Sequence, residues 1–292
     1  MAHTMNVTVF ADPACPWGYS AEPALRVLQW RYGDQLEWRL VLIGLAEDAS
    51  TYVSRGFTPL RGALGQLSFR RYGMPFAPEP KERVSATGRV CRAAVAVRLN
   101  NPGDEWRVLR ALQFANFTTS FVPDDDAQLS AVLNELPDLD ADAIVSRLDD
   151  PEVTEAFARD KAEARTAAGS PAELQGKTAT SDGPVRFTAP SLIFESGGQR
   201  LMAGGFQPIE AYDVLVANLN PSLERRDPPE TPLPLLEEFR GGLTTQEVAA
   251  LMTHGNDAVD RVAAEQGLLE LVAEGAATRR PLGDDALWQL AA

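Results

Sequence analysis

Cys15 is the residue best placed to do chemistry. It lies in Asp12-Pro13-Ala14-Cys15-Pro16-Trp17-Gly18-Tyr19, between the strand-like run Val7-Thr8-Val9-Phe10 and a helical one. In the latter, Leu25, Leu28 and Tyr32 recur at three- and four-residue steps. A thiol where a helix begins faces unpaired backbone N–H groups and the positive end of the helix dipole, and both favour the thiolate. An unperturbed thiol is about 3% ionised at pH 7, and a pKa lowered by roughly 1.5 units leaves it about half ionised. The placement therefore predicts a nucleophilic thiolate at Cys15. Asp12 is a candidate proton relay, although an Asp that starts a loop is also an ordinary turn residue. Cys91, in the apolar stretch Val90-Cys91-Arg92-Ala93-Ala94-Val95, reads as a core cysteine. The sharper alternative makes it a thiol that resolves adducts of Cys15.

Other chemistries run short of residues. The 292-residue chain has two cysteines and two histidines, His3 and His254, too few for an ordinary zinc site. A histidine-assisted nucleophile would depend on His254. The net charge of −14 argues against a nucleic-acid surface, whose affinity comes mostly from Lys and Arg. With 45% hydrophobic and 23% charged residues, the composition is that of a soluble globular protein, and the length suggests two domains. No run of about 18 apolar residues exists. The N-terminal residues lack a basic segment before Met5, so neither a membrane span nor a secretory signal is expected. The expected location is the cytosol, where thiols stay reduced.

The elements that must position Cys15 read as strand, helix, strand. A helix is expected over 16–32, kinked by Pro23 and stopped at Gly33. A second strand follows, where Leu36, Trp38, Leu40 and Leu42 alternate with Glu37, Arg39 and Val41. A parallel right-handed unit fits this order. Residues 45–180 turn helical, with segments at 85–99, 106–117, 126–136, 141–148 and 151–167 and a loop over 168–186. Strands return at 191–194 and 200–203 around Gly197-Gly198, followed by a helix over 208–219. Residues 221–235, with five prolines, look like a stiff linker. Beyond it come a helix opened by the capping-box pattern Thr244-Thr245-Gln246-Glu247, a second helical stretch over 259–275, and a hairpin around Pro281-Leu282-Gly283-Asp284-Asp285. Helix, helix and hairpin together resemble a winged helix. Four arginines there are opposed by eight acidic residues, so protein contact or dimerisation is expected rather than DNA binding.

With these residues in view, 6–44 and 186–220 resemble the two thioredoxin-fold halves of the DsbA-like family. The nearest branch is that of the FrnE-like disulfide oxidoreductases, whose Cys-Pro-Trp-Cys-Tyr motif stands here as Cys15-Pro16-Trp17-Gly18-Tyr19. The resemblance implies an α/β, thioredoxin-like fold formed by 1–44 and 181–222, a helical insertion over 45–180, a linker over 223–238 and a winged-helix-like domain over 239–292. It also implies a cis-proline opposite the thiol, which Ala189-Pro190-Ser191 would supply. Gly204-Gly205-Phe206-Gln207-Pro208 is similar to the family segment that opens the last helix.

Gly18 departs from the motif, because a dithiol enzyme closes its disulfide between both cysteines. What the resemblance then implies is a single-cysteine cycle. Cys15 forms mixed disulfides with a low-molecular-weight thiol (glutathione or mycothiol) or with a protein, Pro190 shapes the groove, and an external thiol or Cys91 resolves the adduct. Pro16, Trp17, Gly18, Tyr19, Asp12 and Ala189 would form the motif and groove, with Trp17 and Tyr19 either shaping the thiol's rim or simply packing. No tightly bound cofactor and no metal are expected, nor a nucleic-acid or membrane partner; a homodimer through the C-terminal part is left open. Two other readings stand beside this one. The first is a thiol-dependent transferase or isomerase like the kappa-class glutathione transferases and 2-hydroxychromene-2-carboxylate isomerases. The second is a redox-inactive binding or sensing protein.

Overall fold

The computed structural model describes residues 4–181 and 183–291; His3 lies outside them. Strand β1 (Met5–Ala11) leads through the Cys15 turn into helices α1 (Pro16–Ser20) and α2 (Glu22–Tyr32), then β2 (Leu36–Leu42). The expected single helix is thus two. The break falls at Ala21, and Pro23 sits in the first turn of α2, where its missing N–H costs nothing, so it opens a helix rather than kinking one.

The insertion carries α3 (Ser50–Val53), α4 (Pro59–Leu67), α5 (Gly88–Asn100), α6 (Glu105–Thr118), α7 (Asp126–Asn134), α8 (Ala141–Ser146), α9 (Pro151–Ala164) and α10 (Pro171–Leu174). Short strands β3 (Thr178–Ala179) and β4 (Arg186–Phe187) pair with each other before β5 (Ser191–Ser196), β6 (Gln199–Ala203) and α11 (Ile209–Leu219). The main sheet runs β2-β1-β5-β6. β1 is parallel to β2, antiparallel to β5, and β5 is antiparallel to β6. β1 is therefore central, which explains why six of its seven residues, Thr8 included, are buried. Helix α5 contributes Val90, Cys91, Ala94, Val95 and Val97 to the same core as Val7, Val9, Leu40 and Leu42.

The proline-rich segment ends in a helix, α12 (Leu233–Glu238). After it come β7 (Leu243–Thr244), α13 (Thr245–Met252), α14 (Arg261–Ala273), β8 (Ala277–Leu282) and β9 (Asp285–Leu290). The strands order as β7-β9-β8. Thr244 and Glu247 form the reciprocal capping box. This C-terminal module is packed onto the rest rather than tethered beside it. Val27 and Trp30 of α2 share its core with Leu236, Val248, Leu268 and Trp288.

At the seam, Arg110 of α6 donates two hydrogen bonds of 2.7 Å to the buried Glu247 carboxylate, and the Arg26 guanidinium lies 3.5 Å from it. The β8–β9 turn reaches the segment before α5. From the start of α14, Arg261 donates to the Gly73 carbonyl of the same segment, at 2.7 Å. Gly73 has φ +85° and a Cβ on it would fall 2.0 Å from the Gln246 side chain, so only glycine fits the contact.

Candidate active site

Cys15 caps the start of α1 in an extended conformation, with Pro16 as the first helical residue. The turn is closed by the Cys15 N–H bonding to the Asp12 carbonyl at 3.1 Å. The Ala189–Pro190 peptide is cis, and the Cys15 Sγ donates to the Ala189 carbonyl across 3.2 Å. Residues 174 positions apart thus meet at one sulfur.

The thiolate expected at Cys15 is not what this site favours. Burial pushes the thiol up from 9.0 to about 11, and the nearby Asp12 adds to the rise. The N–H groups of Gly18 and Trp17, together with Arg186, pull the other way but less strongly. Cys15 is only 7% exposed. A charge brought that far out of water loses more hydration than a short helix terminus returns. The thiol is therefore held protonated, as its donation to a carbonyl requires.

Asp12 is fully buried and is pushed up by that burial. Its carboxylate accepts from the N–H groups of Ala14 and Leu45, both at 2.9 Å, and from the Thr87 hydroxyl at 3.0 Å. The Cys91 thiol points at it too, at 3.6 Å. Asp12 thus ties the Cys15 turn to the start of α5, and its polar contacts do not include the Cys15 sulfur. Cys91 is fully buried among α5 core residues, and both cysteines are free thiols directed at different acceptors. The two thiols are not bonded to each other.

The other motif residues divide. Trp17 is 39% exposed and forms a rim with Phe69, Tyr72 and Phe206, at centroid distances of 4.9, 5.6 and 5.6 Å. Tyr19, open between the thiol's rim and packing, lies in the core. It stacks on Phe117 at 4.8 Å and donates its hydroxyl to the Pro75 carbonyl at 2.9 Å. One residue later on the helix is a rotation of about 100°, so Gly18 and Tyr19 face different ways. A Cβ on Gly18 would lie 3.8 Å from the Cβ atoms of both Cys15 and Ala189. His254 lies in the C-terminal module just past α13 and is exposed, whereas Cys15 is buried.

Several contributors carried no sequence signal. Arg186 and Thr87 are buried polar residues on segments far from Cys15 in sequence, and neither sits in a spacing that chemistry demands. The rim residues Phe69 and Tyr72 precede and end a short 3₁₀ turn, Arg70–Tyr72, with no periodicity. Beside the thiol turn, a cavity of about 400 Å³ is bounded by Ala14, Pro16, Phe57, Phe69 and Phe117.

Residues 6–182 match the family described as the DSBA-like thioredoxin domain. The chain belongs to that family. It is thus a DsbA-like thiol-disulfide oxidoreductase by family, and the family match ends before Pro190. The second half of the thioredoxin-like fold is evident in the β2-β1-β5-β6 sheet. Two solved structures share this fold. One is a Nitrosomonas europaea protein provisionally described as a protein disulfide isomerase, 19% identical, with a TM-score of 0.56 over 74% of this chain and 97% of that one. The other is the cytosolic disulfide reductase DsbM of Pseudomonas aeruginosa, 17% identical, with a TM-score of 0.51 over 73% of this chain and 98% of that one. No curated protein matches the sequence. Among the described residues of this DsbA-like chain, no helix is long and apolar enough to cross a membrane, and no cluster of acidic, His or Cys side chains is arranged to hold a metal ion.

Proposed function

We propose that this DsbA-like protein is a single-cysteine thiol-disulfide oxidoreductase that works by mixed disulfides, with a low-molecular-weight thiol of the glutathione type as co-substrate. The observation that carries the reading is the Cys15 sulfur, 3.2 Å from the carbonyl preceding the cis-proline, with a glycine where a second thiol would stand. When a disulfide R–S–S–R′ enters, the Cys15 proton leaves to solvent as the rim opens and the sulfur regains water. The thiolate attacks one sulfur, the S–S bond breaks, and R′–S⁻ departs, leaving Cys15–S–S–R. A second thiolate, G–S⁻, then attacks the R sulfur, giving G–S–S–R and returning the Cys15 thiolate, which takes up a proton. The net exchange is one thiol for another across one disulfide.

A buried thiol whose thiolate is disfavoured is also a poor leaving group. That weights Cys15 toward holding the mixed disulfide, the reverse of a strong oxidant whose reduced thiolate is stabilised. A reductase or thiol-transfer direction follows, in the cytosol where such thiols are abundant. The DsbM neighbour, a cytosolic disulfide reductase also solved with glutathione, has the same fold and is compatible with this direction.

Intact-mass analysis after incubation with glutathione disulfide tests the proposal. One glutathionyl group on Cys15, none on Cys91, and release by reduced glutathione are expected. Absence of the adduct would overturn it and leave a redox-inactive binding scaffold, and turnover of a mixed-disulfide substrate that survives Cys15→Ser would overturn it by taking the chemistry away from Cys15. A second reading, a thiol-dependent transferase or isomerase, is favoured by one feature: the largely apolar cavity beside Ala14 and Pro16.

A further inference from the structure

The cavity next to the thiol turn contains a charge that the thiol-exchange chemistry does not use. Its walls include Pro16, Phe57, Pro59, Phe69 and Phe117, and its volume of about 400 Å³ is in the range of small-ligand sites. Lys81 also lines it. The Lys81 amine donates to the Asn116 side-chain oxygen and lies 5.9 Å from the centre of the Phe121 ring. No carboxylate pairs with it among the described residues.

The other charged groups at this cavity are differently placed. The Arg61 guanidinium bonds to the carbonyls of Arg55 and Gly56 and covers the Phe57 ring. Arg83 is paired with Asp124. Glu79 is an exposed carboxylate on the same lining. Lys81 is thus a cation whose protein partners are an amide oxygen and a ring face.

We propose that this cavity binds a small hydrophobic acid, its carboxylate held by Lys81 and Asn116 and its apolar body packed against Phe57, Phe69 and Phe117. The arrangement fits a ligand that is apolar over most of its surface and negatively charged at one end. A partly buried ammonium without a counter-ion is costly, and a carboxylate supplies both charge and acceptors. The Asn116 amide can donate to the second carboxylate oxygen while its carbonyl keeps Lys81. Burial pulls the Lys81 amine down to about 7, the direction expected of a cation lacking its partner. Because Ala14 and Pro16 flank Cys15, the acid would lie along the thiol turn. The proposal rests on the thiol-exchange reading only for what the acid does there; binding itself does not need Cys15.

The test uses 1-naphthaleneacetate, with neutral 1-naphthaleneethanol as its isostere, titrated calorimetrically into wild type, Cys15→Ser and Lys81→Met. The acid is expected to bind wild type and Cys15→Ser alike. It should weaken by about tenfold or more in Lys81→Met, while the alcohol changes less than about twofold. A protection experiment on wild type stands independently of whether that variant folds. The chain has three lysines, Lys81, Lys161 and Lys177, and acetylation of Lys81 at neutral pH should be slowed by naphthaleneacetate while the other two are unaffected.

No binding of the acid to wild type, equal losses for acid and alcohol, or unprotected Lys81 would each overturn the assignment. So would Lys81-dependent binding of glutathione with no binding of naphthaleneacetate, which would give the site to the tripeptide. Failure of Cys15 to form a mixed disulfide would sink the thiol reading and leave these binding results standing.

Discussion

Asp284, in the turn between β8 and β9, exchanges two hydrogen bonds with Phe76, which precedes α5. The Phe76 N–H donates to the Asp284 carboxylate at 2.8 Å, and the Asp284 N–H donates to the Phe76 carbonyl at 3.1 Å. Arg70 adds an ion pair to the same carboxylate at 2.9 Å. The segment so held carries Phe69 and Tyr72, which pack against Trp17. The C-terminal module thereby braces the aromatic rim around Trp17, two residues from Cys15, although it contributes no side chain to the sulfur.

Asp284→Ala should therefore loosen the rim. It leaves the buried Phe76 N–H without its acceptor, a loss of about 1–3 kcal/mol. Alkylation of Cys15 by iodoacetamide at fixed pH is expected to speed up several-fold, with Cys91 remaining unlabelled in the same digest. A rate equal to wild type would show that the module does not govern access.

Gly18→Cys should restore a dithiol site. The 3.8 Å between the Cβ positions of residues 15 and 18 is the mean separation across a disulfide, and the same Cβ meets Ala189 at an ordinary contact distance. Thiol titration under oxidising conditions is expected to find Cys91 as the one remaining thiol, in denaturant. Three free thiols after oxidation would contradict the placement of Gly18.

The pH dependence follows from the raised pKa of Cys15. A folded value of about 11 against an ordinary 9.0 means the folded state holds the proton more tightly. Its contribution is complete below pH 9 and is lost as pH rises through about 11, amounting to roughly 3 kcal/mol for this buried group. Wild type should lose thermal stability between pH 9 and 11 more steeply than Cys15→Ala. The alkylation rate of Cys15 should still be climbing at pH 10. A plateau below pH 8 would mean an activated thiolate.

The seam should be sensitive to Arg110. Burial pushes the Glu247 carboxyl up, but Arg110, Arg26 and the Thr244 N–H outweigh it and hold it at about 2. Arg110→Ala leaves a buried carboxylate short of its main partner, a loss of about 3–5 kcal/mol. The urea midpoint is expected to fall accordingly. In wild type the depressed carboxyl gives stability that is present above pH 4.5 and disappears as pH falls through about 2. A variant with an unchanged midpoint would show the pair to be dispensable.

What the amino-acid sequence determined is local. Alternating Val7 and Val9 before a Cys-Pro step, the capping box at Thr244 and Glu247, and the Gly197-Gly198 turn each specify their element through neighbours a few residues away. The same holds for the helical character of 88–100 and 105–118, written in apolar spacing. The position of Cys15 at a strand-turn-helix junction was legible for this reason, as was Ala189-Pro190 as the partner peptide once the family resemblance was recognised.

What the tertiary structure decided is whatever depends on how much water reaches a group. A helix start argues for a thiolate, yet burial in the surrounding core, with the Asp12 charge nearby, pushes the Cys15 thiol up and favours its protonated form. Cys91 and Asp12, 79 residues apart, meet through packing that no spacing reveals. Tyr19 turned inward because Phe76 and Phe117 were there to receive it. Lys81 and Phe69 reach their cavity from irregular chain whose course is set by α6 and the C-terminal turn. Local pattern follows from short-range sterics and periodic burial, whereas desolvation and charge pairing are properties of the assembled interior.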